Sequence, residues 1–109
     1  MSYKIVYTGE SEQDLINIYR YIAINLSAPE TAKKQADRIM NAIRDLNELP
    51  LRYKLYHAEP WRSEGLRVLP VDNYLVFYIA IKEEKTVAII RIMYGGRNIE
   101  SQLSNIEIV

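Results

Sequence analysis

Three runs of β-branched and aromatic residues, 66–70, 74–81 and 86–94, lie within the single stretch GLRVLPVDNYLVFYIAIKEEKTVAIIRIMYGGRN, residues 65–98. Such side chains fit a pleated, half-buried surface. Asp72-Asn73 and the polar run 82–85 interrupt them as turns, so this third of the chain reads as a three-stranded β-meander. Alternation along the middle run separates Tyr74, Val76, Tyr78 and Ala80 from Leu75, Phe77, Ile79 and Ile81, and the second, wholly apolar set is expected to form the core face. In the third run Val87, Ile89, Arg91 and Met93 alternate with Ala88, Ile90, Ile92 and Tyr94. Apolar residues on both faces predict a strand inside the sheet rather than at its edge. Leaving a buried cation without a partner costs about 3–5 kcal/mol. Arg91 must therefore reach a carboxylate or an open face, and the open face is the expectation.

The segments before the meander have helical periodicity. Residues 3–7 form a short first strand with Tyr3, Ile5 and Tyr7 on one face. Ser11, followed three residues later by Asp14, has capping-box spacing and predicts a helix start. Leu15, Ile18, Tyr19, Ile22 and Leu26 then trace an apolar stripe to about Asn25. Ser27 and Glu30 repeat the capping spacing around Pro29, which a first helical turn tolerates. Ala32, Ala36, Ile39, Ile43 and Leu46 recur at steps of four and three, a seam for packing against the first helix and the sheet, and Pro50 closes it. The expectation is an antiparallel helical hairpin on a mainly antiparallel, twisted sheet, an α+β fold in the order β-α-α-β-β-β, as one domain over residues 1–109.

Composition narrows the chemistry. The 109 residues include no cysteine and one histidine, which excludes disulfides and thiolate metal sites and argues against a protein-built zinc site. Neither cofactor nor metal is expected. Fourteen Lys plus Arg balance fourteen Asp plus Glu, so the basic excess that drives non-specific nucleic-acid binding is missing. No apolar run approaches the ~18 residues that span a bilayer, and the first residues carry no leader-like pattern, so the expected location is the cytoplasm. Nine tyrosines against one phenylalanine and one tryptophan suit either a contact surface for protein or stacked bases, or half-buried positions at sheet edges. Residues 51–64 combine Arg52, Tyr53, Lys54, Tyr56, His57, Trp61 and Arg62, which reads as a basic and aromatic patch or as a solvated loop. His57 is a candidate general acid or base, although it has no spaced partner. At the end of the chain, either Ile99 and Leu103 form one helical turn closing the sheet edge, or Ile106, Ile108 and Val109 stay available to a partner.

A strand, a helical hairpin and then a meander carrying Arg67, Pro70, Val71, Tyr74, Phe77, Tyr78, Arg91, Gly95 and Arg97 resembles the RelE/ParE superfamily of type II toxins over essentially the whole chain. The resemblance implies a small α+β fold, a growth-arresting activity and a cognate antitoxin that covers the toxin. It leaves open a homodimer or a toxin–antitoxin heterotetramer. The superfamily divides into ribosome-dependent mRNA endonucleases, the RelE-like branch, and inhibitors of DNA gyrase, the ParE-like branch. Long paired helices and the P-V-x-x-Y-L-x-F-Y strand are ParE-like. Tyr74 stands where RelE-like nucleases commonly have arginine, Leu103 falls near their C-terminal tyrosine, and no histidine lies near the end of this chain. Tyr94 replaces a histidine common in ParE-like sequences. The resemblance thus implies gyrase as the bound target, with Arg67, Tyr74, Tyr78, Arg91, Tyr94 and Arg97 as contacts. The alternatives are an mRNA interferase acting on ribosome-bound message through Arg67 and Arg97, with Lys54 or His57 for proton transfer, or a degenerate toxin that binds only its antitoxin.

Overall fold

A computed structural model describes residues 2–96 and 98–104. The chain runs β1 (Lys4–Tyr7), α1 (Gly9–Arg20), a π-helical turn (Tyr21–Asn25), α2 (Pro29–Arg44), β2 (Arg67–Val71), β3 (Tyr74–Ile81), β4 (Thr86–Tyr94) and α3 (Ile99–Leu103). The sheet order is β1-β4-β3-β2, with β1 parallel to β4 and the other pairs antiparallel. The third run of the meander is an inner strand, as its two apolar faces require. The α+β order expected from the sequence is the one observed.

The face expected to be the core is buried, but so is the opposite one. Tyr74, Val76 and Tyr78 of β3 face the helices, where Val76 and Tyr78 join Ile39, Ile43 and Leu46 of the α2 seam in the main core. Leu75, Phe77 and Ile79 face the other way into a second core with Tyr56, Trp61, Leu66 and Leu103. The error came from treating the sheet as one-sided. With both faces apolar, each needs a cover, and residues 51–66 and α3 supply the second one. Tyr56 and Trp61, read as patch residues, are buried there. Their rings meet edge-on at 5.8 Å, and Tyr56 meets Phe77 in the same manner. Full burial of such side chains is worth roughly 1.5–3 kcal/mol each, more than an exposed stacking role would return to the fold. The Leu103 turn closes the sheet, the first of the two alternatives, and Ile106, Ile108 and Val109 lie outside the described residues.

Both expected caps are displaced. Helix α1 starts at Gly9 behind an extended Thr8, whose hydroxyl accepts from Ser11 N–H. Ser11 is instead buried and returns its own hydroxyl to the Thr8 carbonyl at 2.9 Å. At α2 the cap is Ala28, without a side-chain bond, and Pro29 takes the first helical turn. Ser27 occupies the left-handed region at φ 53°, turning the chain between the helices. The seam Ala32, Ala36, Ile39, Ile43, Leu46 is buried throughout. In the first stripe only Leu15, Ile18 and Ile22 reach the core or the α2 side, while Tyr19 and Leu26 are exposed.

Tyr78, expected at the surface as a target contact, is fully buried and donates its hydroxyl to the Pro50 carbonyl. Burial pushes its pKa up to about 12, against smaller lowering effects from Arg67 and Arg52. A phenol whose folded pKa is raised contributes fully below its ordinary pKa near 10 and loses that contribution as pH rises toward 12. Tyr78→Phe is therefore expected to cost about 1–3 kcal/mol near neutrality, because Pro50 loses its donor. Urea unfolding at pH 7 and across pH 9.5–12 checks this: the variant's stability should fall less steeply than wild type over roughly pH 10–12.

Candidate functional site

Opposite the junction of Phe77 and Tyr78 the β3–β4 register shifts. Tyr78 pairs with Ile89 but Phe77 with Arg91, leaving Ile90 as the extra residue of a β-bulge. Beyond it the alternation changes phase, so Ile92 joins Val87 and Ile89 in the helix-side core. Strict alternation had placed Ile92 with Ile90. A bulge breaks the ladder locally, and its peptide groups must find other partners. Helix α1 provides them. Thr8 Oγ1 lies 2.8 Å from Ile89 O and 3.1 Å from Ile90 O, and Asp14 Oδ2 accepts from Ile92 N–H at 2.9 Å.

The same Asp14 carboxylate holds Arg91. Nε meets Oδ2 at 2.7 Å and Nη2 meets Oδ1 at 3.0 Å, a side-on bidentate pair. The side chains are 18% and 13% exposed. Arg91 thus reaches a carboxylate, not the open face expected of it. The hydrogen bonds to Asp14 raise its pKa further above the ordinary guanidinium value, against the opposing effect of burial.

Above this pair lies a groove of about 860 Å³ between the helical hairpin and the sheet. Tyr21, Ile22 and Leu26 line one side, Tyr74 and Tyr94 the other. Tyr21 is 54% exposed, Leu26 55% and Tyr94 48%, and Ile24 in the π-helical turn is 70% exposed. Large, contiguous apolar exposure marks contact surfaces. The Tyr74 and Tyr94 rings meet edge-on at 5.9 Å, and burial raises the Tyr74 pKa. The position of these two rings is set by the turn between β2 and β3. Asp72 there accepts two bonds of 2.7 Å from Arg38 and one of 3.0 Å from Gln35, which holds its carboxyl down at about 2. Asn73 O then accepts from Gly95 N–H at 2.8 Å. At Gly96 a Cβ would stand 2.7 Å from the Tyr94 ring, so glycine there lets the chain fold closely over that ring.

Of the remaining sequence candidates, Arg67 and His57 lie on opposite sides of the sheet, while the Lys54 backbone adjoins Arg67, its carbonyl accepting from Val68 N–H at 3.1 Å. Arg67 donates through Nη1 to the carbonyls of Tyr53 at 2.8 Å and Leu51 at 3.3 Å, fastening the 51–66 segment to the sheet. It is cross-strand from Tyr78 on the helix side. His57 lies on the other side with Tyr56, 3.6 Å from Glu100 of α3, whose carboxylate also accepts from the Tyr56 hydroxyl. Lys54 is exposed. Arg97 lies outside the described residues. Sequence reasoning missed Asp14, Tyr21, Ile24 and Leu26. The signal available was Tyr21 and Ile24, two large side chains at the helix tip that fall off the apolar stripe to which Leu26 had been assigned. Among the described residues no cluster of His, Asp and Glu has metal-binding geometry.

A family model described as the ParE toxin of the type II toxin–antitoxin system parDE matches residues 5–99. No curated protein sequence matches. Among solved structures, the chromosomal ParDE toxin–antitoxin system of P. aeruginosa superposes with a TM-score of 0.70 at 22% identity, over 85% of this chain and 96% of that one. The RelBE2 toxin–antitoxin complex of Mycobacterium tuberculosis gives 0.62 at 23% identity, over 86% and 99%. A mutant of the E. coli toxin RelE in the free state gives 0.60 at 14%, over 94% and 93%. Likeness at these identities is likeness of fold.

The Asp14–Arg91 pair predicts strong coupling. Arg91→Ala strands a largely buried carboxylate and Asp14→Ala strands a guanidinium, so each should cost about 3 kcal/mol, the low end for buried pairs because solvent still reaches one edge. The double variant should cost clearly less than the sum, a deficit that a double-mutant cycle from urea unfolding would measure.

Proposed function

This chain belongs to the ParE toxins of type II toxin–antitoxin systems, and we propose that it arrests growth by binding a protein target, DNA gyrase, and not by cutting RNA. The observation that supports the choice is the separation of Arg67 from His57, the candidate proton-transfer group, by the thickness of the sheet. Cleavage by attack of a ribose 2′-hydroxyl needs a proton acceptor and phosphate-stabilising cations around one atom, within about 3 Å of the groups they serve. Arg67 is committed to two backbone carbonyls on the helix side, while His57 sits beyond the other face next to Glu100. The balanced net charge supports the same choice, since binding to ribosomal RNA draws on a basic excess.

The target contacts in this proposal are Tyr74, Tyr94 and Arg97, together with Arg67 where its guanidinium edge reaches solvent. Tyr78 is withdrawn by its burial, and Arg91 is bound to Asp14. The partner is a cognate antitoxin, and the apolar groove between the hairpin and the sheet is its docking site. Helix-in-groove recognition uses apolar anchors at i, i+3, i+4 and i+7, which Tyr21, Leu26, Tyr74 and Tyr94 are spread out to meet.

Purified, antitoxin-free protein is expected to inhibit gyrase supercoiling, and Arg97→Ala to lose that inhibition while keeping the wild-type unfolding midpoint. Lys54→Ala and His57→Ala should still arrest growth. The RNA-cleaving alternative would show new, defined mRNA 5′ ends within translated regions and loss of arrest in His57→Ala. Normal growth under strong expression without antitoxin would mark a chain that only binds its antitoxin.

A further inference from the structure

The charged groups lining the groove, among the described residues, are Asp14 and Arg91, one of each sign and bonded to one another. The other polar lining groups, such as Asn17, Gln35 and Gln102, are neutral. The pair is not chemically closed. A guanidinium has five N–H donors, and Asp14 takes one from Nε and one from Nη2. Both Nη1 hydrogens and the second on Nη2 have no partner among the described residues. No side-chain nitrogen or oxygen buried there is without a partner, so Nη1, which has none, is open to solvent.

On the reading that the groove is the antitoxin's docking site, we propose that it selects an uncharged segment presenting a neutral acceptor, a main-chain carbonyl or a Gln or Asn oxygen, to Arg91, and that Asp14 sets this preference. An occupant displaces the water on Arg91, and covering its free donors with an apolar surface would leave them unsatisfied, which costs more than a mismatched contact at the rim. A second carboxylate would answer those donors but would stand beside Asp14, whose charge the guanidinium already balances; Glu10 adds negative potential at the same place. A cationic group would meet Arg91 itself. A neutral acceptor satisfies the donors without disturbing the balance. Asp14 is therefore a specificity-determining residue as well as a structural one: it balances the arginine's charge, so that the pair offers hydrogen-bond donors without net charge.

The test is a selection of displayed 20-residue peptides on the full chain, keeping binders that lose affinity to Tyr21→Ala and to Leu26→Ala. Expected are groove binders without net charge across the contacting face, whose Kd changes less than about twofold between 50 and 500 mM salt, as befits an uncharged contact. At the peptide position whose effect couples to Arg91→Gln, Gln→Glu should weaken binding to wild type about tenfold. On Asp14→Asn, checked for folding by its unfolding midpoint, the same change should strengthen binding. The salt series uses wild type alone and decides the matter if Asp14→Asn does not fold. Acidic groove binders with steep salt dependence would overturn the assignment of Asp14 while leaving the docking site in place. If no selected binder loses affinity to Tyr21→Ala or to Leu26→Ala, the docking site is overturned and the preference with it.

Discussion

The bulge in β4 is the constraint on which the rest of the structure depends. One extra residue at Ile90 frees peptide groups in the middle of an inner strand, where water cannot reach all of them. Two side chains of the first helix region, Thr8 and Asp14, take up the carbonyls of Ile89 and Ile90 and the N–H of Ile92. The helix is thereby fixed to the sheet by directional bonds, whereas packing alone would tolerate sliding. Asp14 also neutralises Arg91, so the bulge, the helix position and the charge balance of the groove have a common origin. Bulges often re-aim a side chain at a functional edge; here the re-aimed residue is Arg91.

Periodicity in the sequence was enough for the elements and their order, because the meander alternates at two and the α2 seam at three and four. It failed where two residues oppose one. No period reports a bulge, so Ile92 was placed on the wrong face and Arg91 was sent to solvent when a carboxylate 77 positions earlier was waiting. The caps failed for a different reason. Thr8 and Ser11 are both competent caps, and the choice fell to Thr8 because it alone can also reach Ile89 O, a tertiary contact invisible to local spacing. The polar stretch 51–64 read as solvated because its charges outnumber its rings, yet Tyr56 and Trp61 are what cover the second face.

The candidate site was legible only in part. Tyr74 and Tyr94 lie where a contact surface needs them, but Tyr78, four residues from Tyr74 on the same face of the same strand, is in the core. Alternation identifies a shared face and says nothing about where along the strand the helices end. Tyr74 lies at the open end of β3 beside the groove, and Tyr78 lies under α2 and the Pro50 carbonyl. Arginine is similarly ambiguous. Arg67 carries part of the family resemblance, and its guanidinium fastens the 51–66 segment to the sheet, so that residue has a role in stability whether or not it also meets a target.

The distribution of tyrosine is the physical basis for proposing a protein target. Tyr56 and Tyr78 are spent on the two cores, Tyr74 is half-buried, and Tyr21 and Tyr94 are left as broad, partly hydrated rings around a groove without net charge. A surface of that kind gains from removing water from apolar area and from a few neutral hydrogen bonds. It offers little to a phosphodiester, whose binding depends on uncompensated cations. The arginine best placed in the groove is already compensated by Asp14. Without the Asp14 charge, Arg91 would be the one charged group lining the groove among the described residues and would attract anions, which makes that carboxylate the residue on which the electrostatic character of the surface turns.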